Sequence, residues 1–227
     1  MSDISIIGLG NMARTIGARA VVGGNAVEVI GRDVARAKNL AEALGGGTTA
    51  GMFGTAPAGD IVILAVPHDT AAPVVAQYGD MLAGKVIVDI TNAFNSDATG
   101  LTTSAGTSIA QEVAKAAPAG AHVVKAFNTV FGHVLAQGRP LDVLIAGDDA
   151  QAKATVSAFI KSLGLRPPGH RLPGNGALAG GNSPGDDGPG PPRRRNLRLH
   201  LRRQHVCLRT PAPALAHARR PCLALGV

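Results

Sequence analysis

The sequence Ile4-Ser5-Ile6-Ile7-Gly8-Leu9-Gly10-Asn11-Met12-Ala13 decides the fold of this 227-residue chain. Its apolar beginning predicts a β-strand, its two glycines predict a tight turn, and the residues after them predict the start of a helix. Gly8 permits the turn, Gly10 lets the backbone approach a ligand, and the small Ala13 lets helix and strand pack closely. The free N–H groups at the start of a helix attract an anion. The stretch therefore predicts a binding site for a pyrophosphate.

A second strand is predicted over residues 26–30, and Gly31-Arg32-Asp33 follows it. In folds that bind dinucleotides, the end of this strand lies beside the adenosine ribose. The guanidinium of Arg32 suits a ribose 2′-phosphate, and Arg36 and Lys38 are within reach of the same group. We therefore predict NADP(H) as the cofactor. The alternative is that Arg32 is an ordinary solvated charge and that Asp33 binds the ribose hydroxyl.

Strand and helix patterns alternate along the first 166 residues. The run over residues 60–66 is almost entirely apolar, as a strand covered on both faces requires. Further strands are predicted at 48–50, 85–90, 122–127 and 141–146, and helices at 34–44, 70–82, 107–117 and 150–163. This order predicts an α/β domain over residues 1–166, a Rossmann-type doubly wound parallel sheet with helices on both faces.

Ligands of such sheets bind at the carboxyl ends of the strands, where the strand order reverses. The segments expected there are 8–12, 31–32, 65–69, 91–95 and 127–130, and they carry the polar residues His68, Thr91, Asn92, Asn95, Asn128 and Thr129. We expect Asn92 and Asn128 to position the cofactor, the alternative being that they satisfy backbone groups of their loops. His68 is expected to form hydrogen bonds rather than to act as an acid or base. No catalytic or metal-binding residue is predicted.

The positive net charge of +7 belongs to the C-terminal part of the chain. Residues 1–166 have a net charge of −1 and residues 167–227 a net charge of +8, so nucleic-acid binding by the first part has no electrostatic support. No apolar run is long enough for a membrane span, and the chain does not begin with a charged and then apolar leader. We therefore expect a cytoplasmic protein that binds small molecules. Cys207 and Cys222 define neither a disulfide framework nor a metal motif.

Several segments of the chain resemble a known family over about residues 3–167. They are Ile-Gly-Leu-Gly-Asn-Met-Ala at 7–13, Ile-Gly-Arg at 30–32, Leu-Ala-Val-Pro at 64–67, Val-Val-Lys-Ala-Phe-Asn-Thr-Val at 123–130, Ala-Gly-Asp-Asp at 146–149 and Gly-Leu-Arg-Pro at 164–167. Together they resemble the NADP-dependent reductases of the deazaflavin coenzyme F-420. The glycine turn is shared with many reductases, whereas the segments at 124–129 and 164–167 are more specific.

The resemblance implies an oxidoreductase that transfers a hydride between NADP(H) and coenzyme F-420, with the two rings stacked in one cleft. No covalent step is needed, because the cofactors carry the chemistry and the protein orients them. The resemblance assigns the pyrophosphate to Leu9, Gly10, Asn11 and Met12, the 2′-phosphate to Gly31, Arg32 and Arg36, and the nicotinamide to Ala65, Val66, Pro67 and the Asn92 region. The alternatives are another small NADP-dependent reductase, with an imine or carbonyl substrate, or a non-catalytic dinucleotide-binding module.

Residues 167–227 depart from the family pattern. They hold 10 Pro, 9 Gly and 10 Arg but no Lys, Glu, Ile, Met, Phe, Tyr or Trp, which predicts a non-globular, disordered tail. Its arginine runs allow a second interpretation, an arm that binds RNA or a membrane. We favour a third, a frameshift in a GC-rich gene, since removing one base near Pro167 restores Trp, Met and Glu in a helical pattern. In the family the C-terminal helices help form a homodimer, so we expect cofactor binding to survive here while dimerisation, stability and turnover suffer.

Overall fold

A computed structural model describes residues 2–95, 97, 99–103 and 107–168 of the chain. Within these residues, strands and helices alternate from the start, as the sequence predicts. In chain order they are β1 Asp3–Ile7, α1 Asn11–Val22, β2 Ala26–Gly31, α2 Val34–Leu44, β3 Thr49–Met52, β4 Ile61–Leu64, α3 His68–Tyr78, β5 Val86–Asp89, α4 Ile109–Ala116, β6 His122–Ala126, α5 Gly132–Leu135, β7 Ile145–Ala146 and α6 Ala150–Ser162. A 3-10 turn over Gly79–Leu82 continues α3.

The strands form one sheet in the order β3-β2-β1-β4-β5-β6-β7. All neighbours from β3 to β6 are parallel. The chain builds outward from β1 to β3, then returns to place β4 on the other side of β1 and builds outward again. The strand order therefore reverses between β1 and β4, and the two connections that leave this point make a crevice at the carboxyl edge. The predicted Rossmann-type fold is confirmed.

Alternate residues of the central strands enter two hydrophobic cores. Ile4, Ile6 and Ile63 pack on one face of the sheet with side chains of α1, α2 and α6. On the other face, Val62 and Leu64 pack with side chains of α3 and α4. Every residue of β4 is buried, as expected for a strand covered on both faces.

The last strand differs from the prediction over residues 141–146. Only Ile145–Ala146 is a strand, and it runs antiparallel to β6, while Asp142 makes a lone bridge to Arg166. The link from β6 to β7 contains one four-residue helix, α5, which rises only about 6 Å. Such a short helix does not carry the chain back along the sheet, as a parallel connection requires. The chain therefore turns at the carboxyl edge and comes back antiparallel.

Helix α3 starts earlier than the sequence predicts. Helix α3 begins at His68, two residues before its predicted start, so Pro73 lies inside the helix and not in its first turn. No helix in the described part of the chain combines the length and the apolar character needed to cross a membrane. The predicted tail over 167–227 lies outside the described residues, apart from Pro167 and Pro168.

Candidate functional site

The glycine turn between β1 and α1 is fixed against two neighbouring strands. Gly8 has a φ angle of 125°, and its N–H donates to the carbonyl oxygen of Ile30 in β2 at 2.8 Å. A Cβ atom on Gly8 would lie 2.1 Å from the carbonyl oxygen of Ala65, directly after β4. Only glycine fits both this backbone conformation and this space. The turn is thereby held at the point where the strand order reverses.

The start of α1 is open to a ligand. Gly10 precedes the helix without a side-chain capping bond, and the first turn contains no acidic residue. A Cβ atom on Gly10 would meet nothing within 4 Å, so open space lies over this backbone. The first N–H groups of a helix have no partner within it, and with the helix dipole they attract an anion. Ala13 is fully buried, as the predicted close packing of α1 requires. The turn therefore fits a pyrophosphate.

A cleft of about 630 Å³ opens beside this turn. Its volume lies within the range of roughly 300–1,000 Å³ that is typical of cofactor and small-molecule sites. Nine of the predicted cofactor-binding residues line it, namely Gly8, Leu9, Gly10, Gly31, Arg32, Arg36, Ala65, Val66 and Pro67. Eight of them follow or end β1, β2 and β4, and Arg36 lies in the first turn of α2, so the sheet topology brings the three segments together.

One wall of the cleft was not predicted from the sequence. It contains Phe53 and one face of α3, which contributes Thr70, Pro73, Val74 and Gln77. The spacing of three and four residues is the signal that could have identified this face. Phe53 packs edge-on against Tyr78 with ring centroids 5.4 Å apart, and the N–H of Gly54 donates to the Tyr78 hydroxyl at 3.1 Å. Burial raises the pKa of Tyr78, against the opposing effect of the Gly54 N–H.

Two arginines and an aspartate line the cleft beyond β2. Arg32 and Arg36 are exposed and line the cleft, whereas Lys38 lines a separate groove. Asp33 Oδ1 accepts a hydrogen bond from the N–H of Arg36 at 3.0 Å and caps α2. The carboxylate therefore has a structural task at the helix start, and Asp33 also lines the cleft, so the alternative that it binds the ribose stays open to test. The guanidinium groups provide donors of the geometry that a phosphate accepts.

The remaining predicted residues lie outside the lining of the cleft. Asn11 and Met12 form the first turn of α1, and Met12 Sδ is 3.2 Å from the position of a Cβ atom on Gly132 in α5. His68 Nε2 lies 3.1 Å from the hydroxyl oxygen of Thr102, a hydrogen bond as expected for this histidine.

Asn92 and Asn128 form a pair that joins the loops after β5 and β6. Asn92 Nδ2 donates to the carbonyl oxygen of Asn128 at 2.7 Å, and Asn128 Nδ2 lies 3.4 Å from Asn92 Oδ1. Asn92 is exposed and Asn128 is half-buried. The structure therefore brings together two amides that are 36 residues apart in the sequence.

Below this pair lies a buried ion pair that was not singled out from the sequence. Lys125 Nζ is 2.7 Å from Asp89 Oδ2, and Asp89 is completely buried. Two residues after Lys125, Phe127 adopts a φ angle of 60°, which is strained for an aromatic residue. Backbone strain of this kind, in a buried residue at the carboxyl edge of the sheet, is a feature of functional sites. Among the described residues, no three His, Cys, Asp or Glu side chains are arranged to hold a metal ion.

Comparisons with known proteins identify relatives of this chain. Residues 3–93, which include every residue that lines the cleft, match the model of a family described as NADP oxidoreductase, coenzyme F420-dependent. Metalloreductase STEAP3 of Rattus norvegicus is 32% identical over 168 residues, which cover 72% of this chain and 33% of that protein. The chain thus spans about a third of the length of this curated relative.

Solved structures agree with the fold. A protein of Sinorhizobium meliloti without assigned function, SMa0349, is 30% identical with a TM-score of 0.66, over 74% of this chain and 83% of that one. A protein of Arthrobacter sp. FB24, to which F420-dependent NADP-reductase activity has been ascribed, is 24% identical with a TM-score of 0.64, over 74% and 85% of the two chains. At that identity the second likeness shows the fold alone.

Proposed function

We propose that this chain transfers a hydride between NADP(H) and the deazaflavin coenzyme F-420, because residues 3–93 match the family model described as NADP oxidoreductase, coenzyme F420-dependent. One observation carries the proposal: a single cleft is lined by the glycine turn at one place and by Arg32 and Arg36 at another. Pyrophosphate and 2′-phosphate are the two groups that distinguish a phosphorylated dinucleotide, and the cleft offers each of them a matching set of donors.

The chain supplies binding and orientation. The start of α1 holds the pyrophosphate through backbone N–H groups, and the two exposed arginines hold the 2′-phosphate. Ala65, Val66 and Pro67 give the cleft an apolar border at the end of β4, and we place the nicotinamide there, with His68, Asn92 and Asn128 beyond it. An apolar border excludes water from the face of a ring that exchanges a hydride.

The described residues offer no group for covalent catalysis at this border, so orientation is the chain's main contribution. When bound, NADPH would supply a hydride, a proton with two electrons, and become NADP+, while the deazaflavin would take up that hydride and one proton from solvent. Holding two reactants in the correct geometry lowers a barrier by up to about 7–11 kcal/mol. The chain's residues therefore act by placing one ring against the other.

The phosphate assignment is tested by Arg32→Gln. We expect this change to lower the affinity for NADPH by about 10- to 100-fold, because a hydrogen bond to a charged group is worth about 1.5–3 kcal/mol. The affinity for NADH, which lacks the phosphate, should stay the same. Titration calorimetry with both coenzymes measures the ratio.

The matched control for this test is Lys38→Gln, which removes an exposed charge from the nearby helix α2 outside the cleft. The control variant should bind both coenzymes as the wild type does. An unchanged ratio of the two affinities in Arg32→Gln would contradict the assignment of the 2′-phosphate.

The acceptor is tested by mixing the chain with NADPH and oxidised coenzyme F-420 at equal concentrations and following the deazaflavin absorbance. Stoichiometric amounts reveal transfer even when turnover is slow. We expect the deazaflavin to be reduced only when chain and NADPH are both present. Parallel reactions with a free flavin, a cyclic imine and a carbonyl compound serve as comparisons. Bound NADPH that is oxidised by one of these and not by the deazaflavin would overturn the proposed acceptor.

A further inference from the structure

The ion pair of Lys125 and Asp89 connects two neighbouring strands at their carboxyl ends. The parallel register of β5 and β6 places Asp89 directly opposite Lys125, so both side chains leave the same face of the sheet. Asp89 is completely buried, and the Lys125 side chain is 20% exposed. Neither side chain lines the cleft of the proposed function. We therefore look for their role in the residues to which they form hydrogen bonds.

Both members of the pair bond to the same residue, Thr91. Lys125 Nζ donates to the carbonyl oxygen of Thr91 at 2.5 Å, and Asp89 Oδ1 accepts from the Thr91 N–H at 2.9 Å. The donor and the acceptor of the Thr91 backbone are thus both engaged, and this residue is almost fully buried. The chain is fixed immediately before Asn92, where it emerges into solvent.

Lys125 is also close in the chain to the second amide of the pair. Asn128 follows Lys125 by three residues, and between them Phe127 is buried with a φ angle of 60°. Asn92 Nδ2 then donates to the Asn128 carbonyl oxygen at 2.7 Å. Each arm of the asparagine pair therefore starts from one member of the ion pair, Asn92 from Asp89 and Asn128 from Lys125.

A buried ion pair adds little to the stability of a fold, but it can hold the groups around it in one conformation. Burial removes the hydration of both charges, so an apolar pair of the same size is often as stable. A network whose members are all hydrogen-bonded nevertheless permits a single geometry. An asparagine amide offers both a donor and an acceptor, which is the complement of another carboxamide.

We propose that Lys125 is a positioning residue that, through Asp89 and Thr91, sets Asn92 and Asn128 to receive the carboxamide of the nicotinamide ring. This inference rests on the proposed NADP(H) site and adds a division of labour to it. The adenosine end of the dinucleotide should be independent of Lys125, and the nicotinamide end should depend on it.

The experiment compares two probes, 2′,5′-ADP for the adenosine end and NADPH for the whole dinucleotide, by titration calorimetry. In Lys125→Met we expect the affinity for 2′,5′-ADP to stay within twofold of the wild type and the affinity for NADPH to fall about tenfold. The chain contains no Trp, so the fluorescence of bound NADPH gives a second, direct report on the ring. We expect it to move towards that of free NADPH.

A double variant, Asp89→Leu with Lys125→Met, separates positioning from stability. Lys125→Met alone leaves a buried carboxylate without its partner, whereas the double variant removes both charges. The double variant should therefore unfold at a higher urea concentration than the single one. Positioning predicts that the loss of NADPH affinity persists in the double variant, because Thr91 is still without its anchors. Asn92→Ala, an exposed change that keeps the ion pair, should show the same selective loss.

The outcomes separate the two proposals. Recovery of NADPH affinity together with stability in the double variant would overturn the positioning role, and so would equal losses for both probes in that variant. If only the single variant fails to fold, the double variant and Asn92→Ala decide. A wild-type chain that binds neither probe would overturn the proposed function itself, and this inference with it.

Discussion

At the carboxyl ends of β1 and β2, Gly10 faces open space and the guanidinium groups of Arg32 and Arg36 are exposed at the cleft. At the carboxyl ends of β5 and β6, by contrast, Lys125 and Asp89 bond to each other and to the backbone between them. Both regions belong to the same edge of the same sheet. In the first, the donors point outward, and in the second they point at neighbours in the chain.

The difference shows how one edge can serve two purposes. Exposed donors and uncapped N–H groups bind an anion strongly, because they carry positive charge and have no hydrogen-bond partner in the chain. Donors that are already engaged add little affinity, but they keep the loops that follow them in one arrangement. We therefore expect affinity to come mainly from the phosphate end and orientation from the end at β5 and β6.

The largest expected effect is that of Gly8→Ala, which attacks the frame of the phosphate end. Its Cβ atom would lie 2.1 Å from the carbonyl oxygen of Ala65, at a φ angle of 125° that alanine rarely adopts. Steric overlap and backbone strain together should lower the free energy of unfolding by about 3 kcal/mol. Urea denaturation measures this loss.

The matched control is Gly10→Ala, because a Cβ atom there meets nothing within 4 Å. We expect it to cost less than about 1 kcal/mol of stability, the difference between Gly and Ala before a helix. Its methyl group would occupy the space above the turn, so NADPH binding should still weaken. A Gly10→Ala chain with unaltered NADPH affinity would show that this space does not hold the pyrophosphate.

The next effect concerns Tyr78, which supports Phe53 in the wall of the cleft. Burial raises the pKa of this hydroxyl above its ordinary value of 10.0. Between the unfolded and folded pKa values, the folded chain retains a proton that the unfolded chain releases, so this contribution to stability is complete below about pH 10 and is lost as the pH rises further. Unfolding curves of the wild type from pH 8 to 11 should show the decline.

Tyr78→Phe removes the titrating group and the bond from Gly54. It should cost about 1 kcal/mol near neutral pH, a typical value for one hydrogen bond. Its stability should fall less steeply than that of the wild type above pH 10. Parallel curves for the two chains would mean that another group causes the alkaline decline.

The sequence predicts the proposed phosphate end from features that lie close together in the chain. An apolar run, two glycines and an arginine after the next strand lie within 30 residues, and six of the residues predicted for this end line one cleft. The wall formed by Phe53 and α3 was missed, since its residues approach the cleft only when α3 packs on the sheet. The helical spacing of these residues could be recognised in the sequence, but the sequence does not show that this face of α3 turns towards the cleft.

The end at β5 and β6 is set by contacts between distant segments. A lysine within a strand pattern is usually solvated, and only the register with Asp89, 36 residues away, shows that Lys125 is paired. The direction of β7 was equally hidden, because an apolar pattern is the same for parallel and antiparallel strands. Predicting either feature requires the length and path of the connections.

The smallest expected effect tests the choice between Asp33 and Arg32 as the reader of the ribose. Asp33→Ala removes the cap of α2 and should cost about 1 kcal/mol of stability, whereas Asp33→Asn keeps an equally good cap and should cost almost nothing. If the carboxylate only caps the helix, both variants bind NADH as the wild type does. If it accepts a hydrogen bond from the ribose hydroxyl, the NADH affinity of both variants falls about tenfold, the value of one charge-assisted bond. Calorimetry on the two variants therefore decides whether Asp33 takes part in binding the ribose or leaves that part of the phosphate end to Arg32 and Arg36, whose guanidinium groups are exposed where the groups at the end of β5 and β6 are paired.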